Sequence, residues 1–458
     1  MSDAASHDGI VIDREVACGY RRPAALQASF AGAAARLLEV DGWADPRSGR
    51  RELVADLALE GGGVKGIALV GAVLALEEAG YSFRGVAGTS AGAIVACLVA
   101  ALSASGDQPM TRLLDYLRSM DFSRFMGSGG DPDLLDRRGG KVGRVAKGAA
   151  ALSRRMGLYP GHYLQEFLEP KLEELGTTTF GALLLTPEDD PDLSISEGHN
   201  YRLVVHVSDI TRGQLVRLPW DYPAYGYDDR DAQSVVSAVR ASMSIPFFFE
   251  PVTFTARPAQ VTLPAPGGGL VSRRYQGGTV TWVDGGLLRN FPINAFERVD
   301  GRPPRWPTIG VKLSSLRTDF PETAACENSV GIGMHCLRTM MNEWDSYRVD
   351  ASTAGRTVFV DNAGLKATDF DLGPDQQDAL FLNGVAAATR FVIEMAAAEG
   401  IPRTAAQSRA LRFGLPGVGS PGSGPAGSRS PGSGPQAARA GAAASPDGDP
   451  EGEAAGAV

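Results

Sequence analysis

Residues Leu53 to Leu102 read LVADLALEGGGVKGIALVGAVLALEEAGYSFRGVAGTSAGAIVACLVAAL. Two glycine-rich turns sit in this stretch, Gly61-Gly62-Gly63-Val64-Lys65-Gly66 and Gly88-Thr89-Ser90-Ala91-Gly92. Each follows a strand-like run, Leu53 to Leu59 and Phe83 to Ala87. Each opens a run that is apolar nearly all round, Ile67 to Ala79 and Ala91 to Ser103, as expected of buried helices. Gly80 is placed to stop the first helix. Strand, helix, strand, helix at this spacing predicts a parallel βαβ unit in an α/β fold.

The second turn is Gly-x-Ser-x-Gly between a strand and a helix. Such an elbow exposes a serine hydroxyl at the carboxyl end of a sheet, and its glycines remove side chains that would clash. The helix that opens there adds free N–H groups and a positive dipole end. A plain glycine-serine turn packing helix on strand would use the same residues, so the motif needs partners.

The first turn has three readings. Gly61-x-Gly63-x-x-Gly66 matches the dinucleotide fingerprint, but that fold wants an acid at the end of the next strand. Here the strand ends in Val86-Ala87-Gly88 and runs into the serine elbow. A Walker A loop needs Gly-Lys followed by Ser or Thr, whereas Lys65 precedes Gly66 and Ile67 follows. The third reading is an oxyanion hole, with the amides of Gly61, Gly62 and Gly63 turned toward one point. It gives both turns a single function and is preferred.

A serine nucleophile needs a base. Of His7, His162, His199, His206 and His335, only His335 comes late enough for the order serine, acid, histidine, and it lies in an apolar helical stretch. Asp284 is the better candidate, because it ends the strand-like run Val280 to Val283 and precedes Gly285-Gly286. An ordinary carboxylate, with a pKa near 3.9, is a weak base for a hydroxyl, and burial would raise it. An Asp-Gly turn with no chemistry is the plain alternative.

The rest of the 458-residue chain sets limits. Apolar residues make up 43%, enough for a large core, and the net charge of -9 does not favour nucleic acid. Cys18, Cys97, Cys326 and Cys336 are scattered and read as reduced thiols. The acidic start lacks a signal-peptide pattern, and the longest uninterrupted apolar run, Ala91 to Leu102, is too short to span a bilayer. A cytoplasmic protein, at most peripheral to a membrane, is expected. Residues 1–50 form an N-terminal extension with a helix over Ala24 to Val40, packed on the flank of a domain over residues 53–400. Further helices are expected over Tyr163–Leu175, Ala232–Ser242, Val330–Val349 and Gln376–Ala398. Strands are expected over Tyr201–Val207, within Pro251–Val283, over Trp306–Leu313 and over Arg356–Val360. Arg137 to Arg155 carries seven positive charges and no acid. It reads first as a solvated face and second as a contact for anionic headgroups. Residues 405–458, increasingly Gly, Pro, Ser and Ala from about Pro416, read as disordered.

Three motifs in order, Gly61 to Gly66, Gly88 to Gly92 and Asp284-Gly285-Gly286, resemble the signatures of patatin-like phospholipases. Arg240-Ala241-Ser242-Met243-Ser244-Ile245-Pro246-Phe247 resembles the segment this family carries ahead of its aspartate. Leu158-Tyr159-Pro160-Gly161 and Asn290-Phe291-Pro292-Ile293 are also similar. The resemblance runs from Leu53 to Ala398 and implies a three-layer α/β/α fold with a mainly parallel sheet. It also implies a lipid acyl hydrolase that uses a Ser-Asp dyad without metal or cofactor. Ser90 would be the nucleophile and Asp284 the proton acceptor, with Gly61 to Gly63 as oxyanion hole. Lys65, Gly66, Gly88, Gly92, Gly285 and Gly286 support the motifs. The expected partner is a lipid or phospholipid, with a peripheral membrane contact through Arg137–Arg155 and no implied oligomeric state. The alternatives are a non-hydrolytic lipid- or acyl-binding regulator, a thioesterase and a neutral-lipid lipase on the same fold. Glu60 departs from the family, which often has aspartate or a small residue there.

Overall fold

Nine-residue strands at Arg51–Leu59 and Tyr81–Thr89 are the centre of a nine-stranded mixed sheet. This computed structural model describes residues 8–45, 49–106, 110–125, 156–185, 195, 198–264, 269–298, 304–313, 339, 351–362, 364–365, 369 and 372–401. The basic run 137–155, the expected helix over 330–349 apart from residue 339, with His335, Cys326, Cys336 and the tail from 405 lie outside the described residues, as does a second unit over 418–458.

The chain begins with β1 (Val11–Ile12), β2 (Tyr20–Arg21), α1 (Ala24–Val40) and β3 (Trp43–Ala44). The first crossover is β4 (Arg51–Leu59), α2 (Gly66–Glu78), β5 (Tyr81–Thr89) and α3 (Ala91–Ala104). Next come α4 (Arg112–Arg118), β6 (Gly157–Tyr159), α5 (His162–Glu174), β7 (Leu203–Asp209), β8 (Gln214–Leu218) and α6 (Val235–Ser242). A run of strands follows: β9 (Phe247–Phe249), β10 (Val252–Ala256), β11 (Ala259–Pro264), β12 (Leu270–Tyr275) and β13 (Gly278–Asp284). The last elements are α7 (Gly286–Arg289), β14 (Thr308–Lys312), α8 (Ala351–Ala354), β15 (Thr357–Phe359) and α9 (Pro374–Ala397).

The main path of the sheet is β10-β13-β7-β5-β4-β14-β15. The five strands from β7 to β15 run parallel, and β13 and β10 add an antiparallel edge. This is the three-layer α/β/α architecture with a mostly parallel sheet. The hydrophobic pattern explains the layers. Buried residues surround α2 and α3 on nearly every side, because α2 packs along α9 while α3 lies on β5. Leu57 and Leu59 of β4 join that main core, whereas Ala58, pointing the other way, packs with Phe291 and Ile293. The segment after α7 therefore covers the opposite face of the sheet.

By length and composition α9 would suffice to cross a bilayer, but 72% of its apolar window is buried within the protein. Its hydrophobicity is that of a core helix. The N-terminal helix forms over Ala24–Val40 as its spacing predicts, and Phe30 and Leu37 join the main core. Arg22 ties this segment down. It is buried, contacts Glu78 of α2 at 2.8 Å, donates to Thr389 Oγ1 of α9 at 2.9 Å and lies 3.8 Å from the Phe30 ring centre.

Removing one side of a buried charged pair costs several kcal/mol, and less where the partner is half exposed, as Glu78 is. Arg22→Ala is expected to cost about 2 kcal/mol in urea unfolding. Arg22→Lys, which keeps the charge and loses the fork to Thr389 and Tyr20, should recover only part of it. Unchanged stability in Arg22→Ala would mean that the Arg22 contacts do not hold the N-terminal segment in place.

Candidate active site

Ser90 joins β5 to α3 with φ 53° and ψ −125°, a conformation that side-chain-bearing residues seldom hold. The elbow is possible because its neighbours lack side chains. A Cβ on Gly92 would lie 2.4 Å from the Leu59 carbonyl of β4, closing the gap between α3 and that strand. Gly88 is the last residue but one of β5.

Two strand registers bring Asp284 to the same edge. Thr89 pairs with His206 and Asp284 pairs with Val207 along the same side of β7, because β8 pairs with both of those residues on the other side. Both turns thus meet across two consecutive residues of one strand. The two registers also sort the side chains, because neighbours along a strand point to opposite faces. The His206 ring leaves on the Thr89 side and the Asp284 carboxylate on the other. His206 is buried, and neither ring nitrogen has a hydrogen-bond partner among the described residues. Burial, with the Arg289 and Arg217 cations, pushes its pKa down to about 3 against the opposing pull of the nearby Arg289 backbone, so the ring is neutral.

The Asp284 carboxyl is fully buried, and burial pushes its pKa up to about 7. The nearby Ser90 hydroxyl and the Gly286 N–H, which donates to Oδ1 at 2.7 Å, act against that rise. Oδ2 has no partner at hydrogen-bonding geometry among the described residues. Ser90 therefore sits close enough to influence the carboxylate without a formed bond, as is common before a substrate binds. Gly285 caps α7 and Gly286 opens it.

Gly62 precedes a short 3-10 turn over Gly63–Lys65, and Gly66 opens α2. The Gly61 N–H donates to the Asn290 carbonyl at 3.1 Å, and the Asn290 side-chain amide donates to the Gly61 carbonyl at 3.0 Å. Gly61 is thus a clamped strut, and its amide is not available to a ligand. The amides of Gly62 and Gly63 have no acceptor among the described residues. A Cβ on Gly61 would strike the Asn290 amide oxygen at 2.3 Å and lie 3.0 Å from Ser90 Cβ, so loop and elbow touch.

Glu60, the departure noted in the sequence, anchors the loop from below. Its carboxylate pairs with the buried Lys312 ammonium and accepts the Leu313 N–H at 2.5 Å. Lys65 lies near it. Burial lowers the Lys65 pKa, Lys312 adds to that effect, and the Glu60 and Asp369 charges oppose it.

Several positioning residues carried no readable role in the sequence. Ser242 Oγ accepts the Ser90 N–H at 2.9 Å and donates to the His206 carbonyl at 2.7 Å. The Ser244 carbonyl accepts the Asp284 N–H at 2.9 Å. Arg240 is buried and donates to Ser244 Oγ at 2.6 Å, the Pro160 carbonyl at 2.6 Å and the Glu250 carbonyl at 2.9 Å. Thr89 Oγ1 donates to the Arg289 carbonyl at 3.1 Å, tying β5 to α7. The signal for these residues was the Arg240 to Phe247 segment, whose spacing places Ser242 and Ser244 at the end of α6.

A model of the family described as patatin-like phospholipase matches residues 57–297. The chain belongs to the patatin-like phospholipase family. An uncharacterized Bacillus subtilis protein, YqhO, is 31% identical over 325 residues, covering 71% of this chain and 93% of its own. Among solved structures, VipD from Legionella pneumophila is similar at 17% identity and a TM-score of 0.36, over 77% of this chain and 69% of VipD. The type III effector ExoU, known also in complex with SpcU from Pseudomonas aeruginosa, is similar at 15% identity and a TM-score of 0.33. That alignment covers 75% of this chain and 53% of ExoU. Within this patatin-like protein, the three family motifs converge on one edge of the sheet.

The raised Asp284 pKa has a stability consequence. Near pH 3 and below, folded and unfolded chains both hold the proton, and the carboxyl costs little. Between about 4 and 7 the unfolded chain releases it first, so the folded state loses stability, and above 7 the full cost remains. Asp284→Asn is therefore expected to match the wild-type unfolding temperature near pH 3 and exceed it at pH 8, measured by calorimetry. A gain of equal size at both pH values would contradict a buried, high-pKa carboxyl.

Proposed function

We propose that this patatin-like protein hydrolyses carboxylic esters of lipids through an acyl-enzyme on Ser90, with Asp284 as the proton acceptor. One observation carries the reading. A buried carboxylate with its pKa near neutrality and an unpartnered oxygen faces a serine held in a strained elbow.

Ser90 Oγ attacks the ester carbonyl as its proton passes to Asp284 Oδ2. The carbonyl π electrons move onto oxygen, and the N–H groups of Gly62 and Gly63 receive that charge. Collapse of the tetrahedral species breaks the ester C–O bond, and Asp284 returns the proton to the departing alcohol. Water then attacks the acyl-serine by the same route, giving the free acid and restoring both residues. A pKa near 7 suits a group that must take and return a proton at neutral pH. The Ser90 and Gly61 amides are already bonded to Ser242 and Asn290, which leaves Gly62 and Gly63 as donors. One such donor is worth roughly 10²- to 10³-fold in rate.

Ser90→Ala and Asp284→Ala are each expected to abolish release of fatty acid from a mixed lipid panel, read by mass spectrometry, while the circular dichroism stays native. The lipids consumed by wild type alone name the substrate, whether phospholipid, neutral lipid or thioester. Ser242→Ala should fold and bind substrate with a similar KM, because its hydroxyl touches no substrate. Its kcat should fall at least tenfold through a loosened elbow. Near-normal turnover in Asp284→Ala would overturn the dyad.

A further inference from the structure

Two exposed apolar side chains beside the site are held at a conformational cost. Phe247 has φ 67° and is 51% exposed, and Met156 has φ 59° and is 53% exposed. The left-handed region is strained for bulky residues, and such strain persists where the surroundings impose it. Ordinarily an exposed position in this conformation would be glycine, asparagine or aspartate. Phenylalanine and methionine there leave about half of their surface in solvent despite that cost.

The two residues are neighbours. β6 and β9 form a small parallel ribbon in which Gly157 pairs with Phe247 and Tyr159 with Phe249, so the Met156 backbone lies one residue from the partner of Phe247. Behind them the ribbon is packed with aromatic rings. The Phe248 ring lies 4.9 Å from both Tyr159 and Phe249, and Phe249 is buried. The ribbon is also coupled to the catalytic strand. Arg240 holds the carbonyls just beyond both strands of the ribbon, at Pro160 and Glu250, together with the Ser244 hydroxyl. Ser244 in turn accepts the Asp284 N–H at 2.9 Å, three residues before Phe247. Three residues span at most about 11 Å, so the apolar pair lies within a lipid's length of Asp284.

We propose that Met156 and Phe247 form a lip that dips into the surface of a phospholipid bilayer, presenting the ester bond to Ser90. The inference rests on the lipid-ester reading above. A bilayer is the occupant that suits the geometry. Two side chains are far too little for a stable protein interface, which needs about 800 Å² from each partner. A lipid surface, by contrast, takes up individual apolar side chains reversibly. The packed aromatic base and the Arg240 bracket would fix the depth of insertion relative to Asp284.

The test uses the strain itself. Glycine accepts positive φ at no steric cost, so Met156→Gly/Phe247→Gly removes both side chains while relaxing the backbone. Met156→Asn/Phe247→Asn is a second variant, since asparagine also tolerates this region. Both should unfold no earlier than wild type. Hydrolysis of a water-soluble short-chain nitrophenyl ester should stay within twofold of wild type. Hydrolysis of vesicles of phosphatidylcholine with phosphatidylglycerol should fall at least tenfold. Co-sedimentation with the same vesicles, measured in a Ser90→Ala background, should fall by a similar factor. Unchanged co-sedimentation would overturn the proposal, as would an equal loss on soluble ester and vesicles, which would put the residues inside the site. If wild type hydrolysed neither ester, the catalytic reading would fail, and co-sedimentation would still decide the docking surface.

Discussion

The Ser242 hydroxyl accepts the Ser90 N–H and donates to the His206 carbonyl, and through that bridge α6 fixes the elbow against β7. β7 is the strand on which both halves of the site are registered. Its His206 is in register with Thr89, and its Val207 is in register with Asp284. If either register slipped by one residue, the carboxylate would turn to the wrong face. Leaving the Ser90 N–H and the His206 carbonyl unpaired in the interior would cost about 1–3 kcal/mol each. A single hydroxyl therefore holds both the geometry of the elbow and the relation between two strands. Asn290 plays the matching part for the glycine loop, bonding Gly61 through both its carbonyl and its side-chain amide.

Electrostatics in this edge of the sheet follow from burial. Asp284 is buried with one N–H donor on Oδ1 and none on Oδ2, so its charged form is under-solvated and its pKa moves to about 7. Glu60, also buried, has the opposite arrangement, with an ammonium and a backbone N–H on its two oxygens. The two carboxylates differ in partners more than in depth. In the proposed mechanism the satisfied one holds the loop and the unsatisfied one moves the proton. Asp56, in the middle of β4, is a second buried carboxyl raised to about 7 by burial, against one N–H from Gly85 and the Arg305 and Arg84 charges. It accepts from the backbone where the β4–β5 register shifts, between Ala55 and Leu57, which gives it a structural role.

Much of this fold was readable because its elements follow local rules. The helices at Gly66–Glu78 and Ala91–Ala104 are apolar on all sides, and the strands before them end in glycine turns. Their parallel pairing came from the alternation alone. The antiparallel edge was less legible, because β10 to β13 follow one another closely in the chain and nothing local says that β13 joins β7. The convergence of Ser90, the glycine loop and Asp284 was anticipated from motif order. What the sequence hid was the use of individual polar atoms. Nothing in Gly61-Gly62-Gly63 tells which amide is consumed by Asn290. Nor does Ser242 differ locally from any serine at a helix end. Those roles depend on long-range partners, 229 and 152 residues away in the chain. The cost of φ 67° at Phe247 is likewise a property of the fold.

Activation of Ser90 by Asp284 would show most plainly in the pH dependence of Ser90 phosphonylation. A fluorophosphonate probe, which needs no lipid and no surface, should label Ser90 at a rate that rises with pH and levels off, with a midpoint about 7. In Asp284→Asn the rate should be lower by orders of magnitude and flat across that range. A wild-type midpoint unchanged in Asp284→Asn would assign the titrating base to another group and contradict the account.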